Sequence, residues 1–269
     1  MIGQTNIQNR VSALIESSLY PRFTILTGQR GSGKKLLARQ IAKQLNGFTI
    51  MVDSKVDSIR EMIEQSYKVA TTTVYIIADA DNMSVAARNA LLKVTEEPPN
   101  NVYFIMTLQD SMNTLATIRS RGTVFSMDAY TVDDIKQCIG TVTDLDTIKR
   151  FVRLCETPYD VQLLKSYDSE AFLSYVQLVF NNIAEVSGAN AFKIADKIAL
   201  ADEPDKYDLR LFWRAFIYEC ALYFREDSEK YMGAIAITTK YLQDLRTSSI
   251  NKSFTFDMWL LDIRAEWMA

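Results

Sequence analysis

The chain has 269 residues, 48% of them hydrophobic, and a formal net charge of −3. This length predicts one α/β domain with smaller helical domains rather than a single core, and the net charge excludes attraction of nucleic acid by the field of the whole molecule. The sequence contains no histidine, which excludes Ser–His and Cys–His nucleophiles and removes the commonest transition-metal ligand.

The three cysteines, Cys138, Cys155 and Cys220, are far apart and form no Cys-x-x-Cys pair. We therefore expect neither a zinc site nor disulfides. The first ten residues lack the basic and apolar blocks of a signal peptide, and no run approaches the roughly 18 apolar residues of a membrane helix. We expect a cytoplasmic protein without membrane contact.

The first half alternates predicted helices and strands. Short apolar runs typical of buried strands lie at 23–27, 48–52, 74–77 and 101–107. Apolar residues at helical spacing predict helices over 7–18, 36–46, 56–68 and 85–97. Ser84 can cap the last of these helices and Pro98 ends it. Strands that alternate with helices predict a parallel sheet, so the fold class is α/β.

The strand signal ends at about residue 128. Short helices broken near Gly140 and Pro158 are expected up to residue 167. Long helices are predicted beyond it, at 172–183, 189–200, 209–224, 231–245 and 256–267. Their aromatic residues can serve either a core or a partner interface, among them Phe212, Trp213, Phe216, Trp259 and Trp267.

A glycine-rich loop joins the strand at 23–27 to the next helix and matches the pattern G-x-x-x-x-G-K. Backbone amides in such a loop converge on a phosphate, the helix amino terminus adds its positive dipole end, and Lys34 can reach a β- or γ-phosphate. We therefore predict a site for ATP or ADP built from Gly28, Gly31, Ser32, Gly33, Lys34 and Lys35.

Position 35 departs from this pattern, which has Ser or Thr there to ligate Mg²⁺. An ammonium cannot bind a cation, so Mg²⁺ is not expected at this position. Two interpretations of Lys35 are open. It can replace part of the charge of the metal against bound phosphates, or it can point to solvent as most lysines do.

The segment 74–107, together with TIRSRG at 117–122, resembles the clamp-loader branch of the AAA+ family, in particular subunits of the delta-prime kind. Asn89 to Lys93 and Glu96 to Pro98 match two runs of that family without change. The resemblance covers about residues 1–128. It implies an AAA+ P-loop domain at 1–128, a helical lid at 129–167 and an all-α collar at 168–269 that holds the subunit in a hetero-oligomeric ring.

The same resemblance places Ala78 at the position of the metal-positioning aspartate and Asp79 at that of the water-orienting glutamate. A methyl group cannot hold Mg²⁺, and a shift of about 1 Å in Asp79 can cost on the order of a hundredfold in rate. Asp81 can act either as a metal ligand or as a helix cap, and Gln109 either as a polar sensor or as a surface residue. The stretch 156–159 lacks the lid arginine of ATP-hydrolysing subunits.

Ser120-Arg121-Gly122 resembles the Ser-Arg-Cys finger that loader subunits insert into the ATP site of a neighbour. A guanidinium presents a planar fork to phosphate oxygens and stays charged. A plain surface arginine is the alternative. Ser84 and Arg88 share one face of the helix that begins there, which predicts a DNA phosphate contact; an exposed Arg88 without a partner is the alternative.

The resemblance thus implies a clamp-loader subunit of DNA polymerase III that has no ATPase activity of its own and lends Arg121 to a neighbouring ATPase subunit. The expected partners are the other loader subunits, the sliding clamp and primed DNA. The four-cysteine zinc module common in bacterial loader subunits is missing, so no zinc is expected. Two alternatives stay open: an ATP-hydrolysing subunit of the gamma type, and an AAA+ ATPase of DNA repair or initiation.

Overall fold

The computed structural model describes residues 1–140, 145–183, 206–245 and 251–268, together with Ile194 and Lys197. Two compact units form, Met1–Gln137 and Cys138–Ala269. The finer division at residues 128 and 167 stays a prediction.

The first unit is built on a parallel five-stranded sheet. The strands are β1 (Phe23–Thr27), β2 (Phe48–Val52), β3 (Thr73–Ile77), β4 (Val102–Leu108) and β5 (Thr123–Ser126), in the order β2-β3-β4-β1-β5. The helices among them are α1 (Thr5–Glu16), α2 (Lys34–Gln44), α3 (Val56–Ser66), α4 (Val85–Glu96) and α5 (Ala116–Arg119), and α6 (Val132–Ile139) follows β5. All four strand pairs are parallel, which confirms the predicted α/β class.

Apolar side chains cover both faces of the sheet. Every residue of β1 and β3 is buried, as expected of inner parallel strands. Ile25 belongs to the core cluster on one face with Leu91 of α4, and Leu26 belongs to the other cluster with Ile41 of α2. The sheet is therefore held between two layers of helices, and the ends of its strands are the places where polar side chains can gather.

Strand β5 was not predicted from the sequence. It has four residues, of which only Phe125 is buried, so no apolar run marks it. It pairs with β1, with Thr123 opposite Thr24. Just before it, a Cβ on Gly122 would lie 2.8 Å from Ile25 Cδ1. This close approach gives a packing reason for glycine in place of the cysteine of the finger motif.

The second unit is helical in the part that the structure describes. Its helices are α7 (Leu145–Leu154), α8 (Pro158–Ser166), α9 (Ser169–Asn182), α10 (Leu209–Tyr223), α11 (Ser228–Asp244) and α12 (Lys252–Met268). Pro158 occupies the first turn of α8, as its position in the sequence predicts. The helix predicted over 189–200 lies outside the described residues, Ile194 and Lys197 apart.

The aromatic residues of the second unit form its core. Four of the five singled out from the sequence have no solvent exposure: Phe212, Trp213, Phe216 and Trp259. Trp259 packs edge-on against Phe216, with ring centroids 4.9 Å apart, and donates a hydrogen bond to Thr238 Oγ1 at 3.0 Å. These four side chains are core residues. Among the helices described, none is long and apolar enough to cross a membrane.

Candidate functional site

The glycine-rich loop lies between the carboxyl end of β1 and the start of α2. Gly31 and Gly33 have φ values of +83° and +87°, in the left-handed region that side chains with a Cβ rarely adopt. A Cβ on Gly33 would also lie 3.0 Å from Met1 Sδ. Both glycines are thus required by the backbone, and the amino terminus of α2 opens onto the loop, as a phosphate site requires.

Lys34, the first residue of α2, folds back over the loop. Its ammonium donates hydrogen bonds to the carbonyl oxygens of Gly28 and Gln29, both at 2.7 Å. Loss of hydration by burial lowers the pKa of Lys34 to about 8, although the negative charges of Asp81 and Asp79 act in the opposite direction. A phosphate within reach of Lys34 would therefore stabilise its charged form.

The Ser32 hydroxyl is a second polar group inside the loop. The Ser32 side chain is almost fully buried, and its Oγ has no hydrogen-bond partner within the part of the chain that the structure describes. The backbone carbonyl of Ser32 accepts a hydrogen bond from the Tyr130 hydroxyl at 2.9 Å, which ties the loop to the segment after β5. Buried hydroxyls normally have partners, so a ligand oxygen fits the chemistry at Ser32.

Lys35 points to the carboxylate that follows β3. Its Nζ lies 2.6 Å from Asp79 Oδ2, and the two side chains are 47% and 58% exposed. Asp79 has a left-handed φ of 51° and donates its backbone N–H to Thr107 Oγ1 at 3.0 Å. Together with the methyl group of Ala78, this donor set does not fit Mg²⁺, which needs oxygen ligands. Lys35 therefore has a specific partner at the site.

Asp81 has a structural role that the sequence did not predict. It is buried, and both carboxylate oxygens accept the backbone N–H of Gln109, at 3.0 and 2.9 Å. Oδ1 also accepts from Asn113 Nδ2 at 2.8 Å. The carbonyl of Gln109 in turn accepts the N–H of Gly28 at 3.1 Å. Asp81 thus links the end of β3 to the end of β4, and β4 to the loop. A helix cap at Asp81 is not needed, because Ser84 caps α4.

Arg121 follows α5 and is held by the end of α4. Its Nη2 pairs with Glu96 Oε1, and its Nη1 donates to the carbonyl of Thr117 at 2.5 Å. The Arg121 side chain is 28% exposed. The Glu-Glu-Pro and Ser-Arg runs of the family resemblance therefore meet in space. Glu96 was not predicted as a site residue, because nothing in either run indicates their contact.

Arg121 and the loop lie at opposite ends of the strands. Thr123, at the start of β5, is opposite Thr24 in parallel register, whereas the loop begins after Thr27. Four strand residues at about 3.3 Å each separate Thr24 from Gly28 by roughly 13 Å. Arg121 precedes Thr123, so it lies beyond the amino edge of the sheet, away from the loop of its own chain.

Ser84 and Arg88 lie at the start of α4 as predicted. Ser84 Oγ accepts the backbone N–H of Ala87 at 3.2 Å and so caps the helix. Arg88 is half-buried, and its Nη2 donates to the backbone carbonyl of Asp81 at 3.1 Å. The alternative of an exposed Arg88 without a partner is therefore wrong, and the contact with DNA stays a prediction.

The stretch Glu156–Tyr159 belongs to the second unit and starts α8. Thr157 caps the helix, and the buried Asp160 accepts the backbone N–H groups of Glu156 and Thr157, both at 3.0 Å. Asp160 also pairs with Arg214 Nη1 at 3.0 Å. These contacts join α8 to α10 within the unit, so Asp160 and Arg214 have a structural role there.

This arrangement defines a class of protein. A parallel sheet with a G-x-x-x-x-G-K loop between its first strand and the following helix is a P-loop domain. Two solved structures from Thermotoga maritima share the fold. One is a DNA polymerase III gamma subunit-related protein, with a TM-score of 0.52, 15% identity and coverage of 96% of this chain and 99% of that chain. The other is the RuvB Holliday junction branch migration motor, with a TM-score of 0.52, 18% identity and coverage of 84% and 76%.

Sequence relatives narrow the class. Residues 47–131 match the family model described as DNA polymerase III, delta subunit. Over 166 residues the chain is 31% identical to DNA polymerase III subunit gamma of Buchnera aphidicola, an alignment that covers 50% of this chain and 46% of that protein. Over 83 residues it is 40% identical to subunit delta' of Haemophilus influenzae, covering 31% and 25%. Over these residues the chain is similar to gamma and delta' subunits of DNA polymerase III. It spans less than half the length of these two relatives.

The depressed pKa of Lys34 predicts a pH dependence of ADP binding. A bound phosphate favours the charged ammonium and raises the pKa of Lys34 above about 8, so binding takes up a proton. The affinity for ADP should be highest near pH 7, where the phosphates are ionised and Lys34 is charged, and should fall above pH 8 by at most about tenfold per pH unit. Titration calorimetry in buffers of different ionisation enthalpy measures both the affinity and the proton uptake.

Lys34→Arg is the matched control, because a guanidinium stays charged throughout this range. The variant should bind ADP with an affinity that does not change between pH 7 and pH 9. A wild-type affinity that is equally flat over the same range would contradict the role given to Lys34.

Proposed function

We propose that this chain is a non-hydrolysing, delta-prime-like subunit of a DNA polymerase III clamp loader in the cytoplasm, and that it helps to load a sliding clamp onto primed DNA. The P-loop domain at 1–128, the lid at 129–167 and the collar at 168–269 are its three working parts. Both relatives named above are DNA polymerase III subunits. The other loader subunits, the clamp and primed DNA are the partners.

The observation that carries the non-hydrolysing role is the ion pair between Lys35 and Asp79. These residues stand where an ATPase of this family has the Mg²⁺-binding hydroxyl and the water-orienting carboxylate, and here the two side chains bind each other. Ala78 adds a methyl group at the metal-positioning site. The absence of an arginine in 156–159 removes a further contact to the phosphates. The gamma-type alternative needs all of these groups.

The position of Arg121 supports its action on a neighbouring subunit. It lies past the amino edge of the sheet, and the loop of the same chain lies past the carboxyl edge. A finger serves a phosphoryl transfer by stabilising charge on the transferring oxygens, which requires direct contact. Arg121 in this position suits an ATP held by another chain better than one held by its own loop.

The first prediction of this proposal concerns the isolated chain. It should hydrolyse ATP far more slowly than about 1 s⁻¹, the lower end of ordinary enzyme rates, because the groups that hold Mg²⁺ and orient water are replaced. Steady-state phosphate release by the purified chain, with and without primed DNA, measures this. Turnover of about 1 s⁻¹ or faster would favour the gamma-type alternative.

The second prediction concerns Arg121 in a reconstituted loader. Arg121→Ala should lower ATP hydrolysis at one interface by roughly 10³- to 10⁵-fold, the effect of losing a finger. DNA- and clamp-stimulated ATPase and the number of loaded clamps are the measurements. Arg119→Ala is the matched control, since Arg119 lies on the same short helix and is also half-buried. A loader with Arg121→Ala that assembles, hydrolyses and loads like wild type would show that Arg121 is a surface residue.

The third prediction concerns DNA. We propose that the start of α4, with Ser84 and Arg88, meets a phosphate of the primed template. Arg88→Glu should weaken binding of the loader to primed DNA at low salt. It should also reduce the slope of log affinity against log salt concentration by about one, the value for one lost phosphate contact. Arg60→Glu on α3, exposed and paired with Asp57, is the matched charge reversal. Equal affinities of the two variants would remove Arg88 from the interface.

A further inference from the structure

The ion pair between Lys35 and Asp79 stands where the loop pattern predicts a metal ion. In a P-loop, the residue after the loop lysine supplies a hydroxyl to Mg²⁺, and the neighbouring strand supplies an aspartate. Here Lys35 Nζ lies 2.6 Å from Asp79 Oδ2, and Ala78 has no ligand atom. The residues present do not fit Mg²⁺, but the Lys35 ammonium is a cation at the position where the pattern has the metal ion.

The charges at this site balance without a metal. In the ordinary pattern the loop lysine and Mg²⁺ face an aspartate and a glutamate, which leaves a net charge of about +1. In this chain Lys34 and Lys35 face Asp79, because Ala78 replaces the aspartate, and the net charge of the three groups is again about +1. Asp81 also acts on Lys34, but it is common to both patterns and leaves the comparison unchanged. The substitution of Lys35 and that of Ala78 therefore compensate each other in charge.

The pair is held loosely enough to exchange. Both side chains are about half exposed, and exposed ion pairs contribute only about 0 to 1 kcal/mol. Lys35 is the second residue of α2, directly beside Lys34 and the loop amides. A lysine has a flexible four-carbon stem and three donors, so its ammonium can leave Asp79 for a phosphate oxygen without a change in the backbone.

The interior of the loop supplies an independent indication of a ligand. Ser32 is 3% exposed, and its hydroxyl has no partner among the described residues. Lys34 is 7% exposed, and its ammonium donates hydrogen bonds to the carbonyl oxygens of Gly28 and Gln29. A buried donor and a buried cation beside a helix amino terminus suit an anion with several oxygens.

We propose that the loop is a magnesium-independent site for the phosphates of a nucleoside di- or triphosphate, in which the Lys35 ammonium takes the place of Mg²⁺ and Asp79 holds it in the empty state. This inference goes beyond the proposed loader role and rests on the glycine-rich loop as a phosphate site. It adds that the nucleotide binds without a metal ion. It also predicts that Lys35 increases the affinity for nucleotide and that Asp79 decreases it.

The experiment measures the affinity of the full chain for ADP and ATP by titration calorimetry, in Mg²⁺ and in EDTA. Wild type should bind equally well in both. Lys35→Ala should weaken binding by roughly tenfold to a hundredfold in both buffers, the effect of losing one charge-assisted hydrogen bond. Asp79→Asn should tighten it, by up to about fivefold, because the competing ion pair is removed.

Two further variants make the test specific. Lys55→Ala removes the lysine of another exposed ion pair, on the loop after β2 at the far edge of the sheet, and should leave the affinity unchanged. Lys35→Ser combined with Ala78→Asp restores both metal ligands of the ordinary pattern, and its nucleotide binding should become dependent on Mg²⁺. Thermal unfolding confirms that each variant is folded.

Three outcomes would overturn the inference: ADP binding by wild type only in Mg²⁺, no binding of either nucleotide, or a change of affinity in the same direction for Lys35→Ala and Asp79→Asn. None of them affects the Arg121→Ala result in a reconstituted loader. The proposed role as a loader subunit can therefore fail or hold separately from the metal-free site.

Discussion

The buried carboxylate of Asp81 fixes the geometry on which the site depends. It accepts the backbone N–H of Gln109, and the carbonyl of Gln109 accepts the N–H of Gly28, so one row of hydrogen bonds joins the ends of β3 and β4 to the loop. Loss of this acceptor would leave buried donors unpaired and would lower the free energy of unfolding by about 1 to 3 kcal/mol for each donor. A residue that need not touch phosphate or metal thus orients the loop, and its neighbours Ala78 and Asp79 are free to differ from the family pattern.

The two adjacent lysines of the loop are held in different ways. Lys34 is buried and bonded to two loop carbonyls, and desolvation lowers its pKa to about 8, so its charge responds strongly to what enters the loop. Lys35 is half exposed and bonded to one carboxylate in a contact that water and salt weaken. Lys34 is part of the loop structure, whereas Lys35 makes an exposed ion pair that can exchange for another contact. The two residues are adjacent, but at the start of α2 the Lys34 side chain turns to the loop and the Lys35 side chain turns to Asp79 and solvent.

Sequence patterns could predict what depends on local order. The apolar runs identified β1 to β4, the loop pattern identified the phosphate site, and the break at Pro158 located the start of α8. The strand β5 was missed because four mixed residues carry no period, and its pairing is set by β1. The contacts of Lys35 with Asp79 and of Arg121 with Glu96 join residues 44 and 25 positions apart. Such contacts follow from the strand order, which no residue pattern along the chain encodes.

The ion pair between Glu96 and Arg121 determines how readily the Arg121 guanidinium can move to another anion. The guanidinium is held by one carboxylate that is 52% exposed, and such a pair is worth about 1 kcal/mol or less. A neighbouring phosphate chain carries more charge and would lie in a water-poor interface, where the same guanidinium gains far more. Glu96 therefore orients the Arg121 side chain through a contact weak enough to exchange for the phosphate contact that we propose. Because Arg121 lies past the amino edge of the sheet and the loop past the carboxyl edge, the proposed contact of Arg121 with a neighbour does not compete with ligand binding at the loop of its own chain.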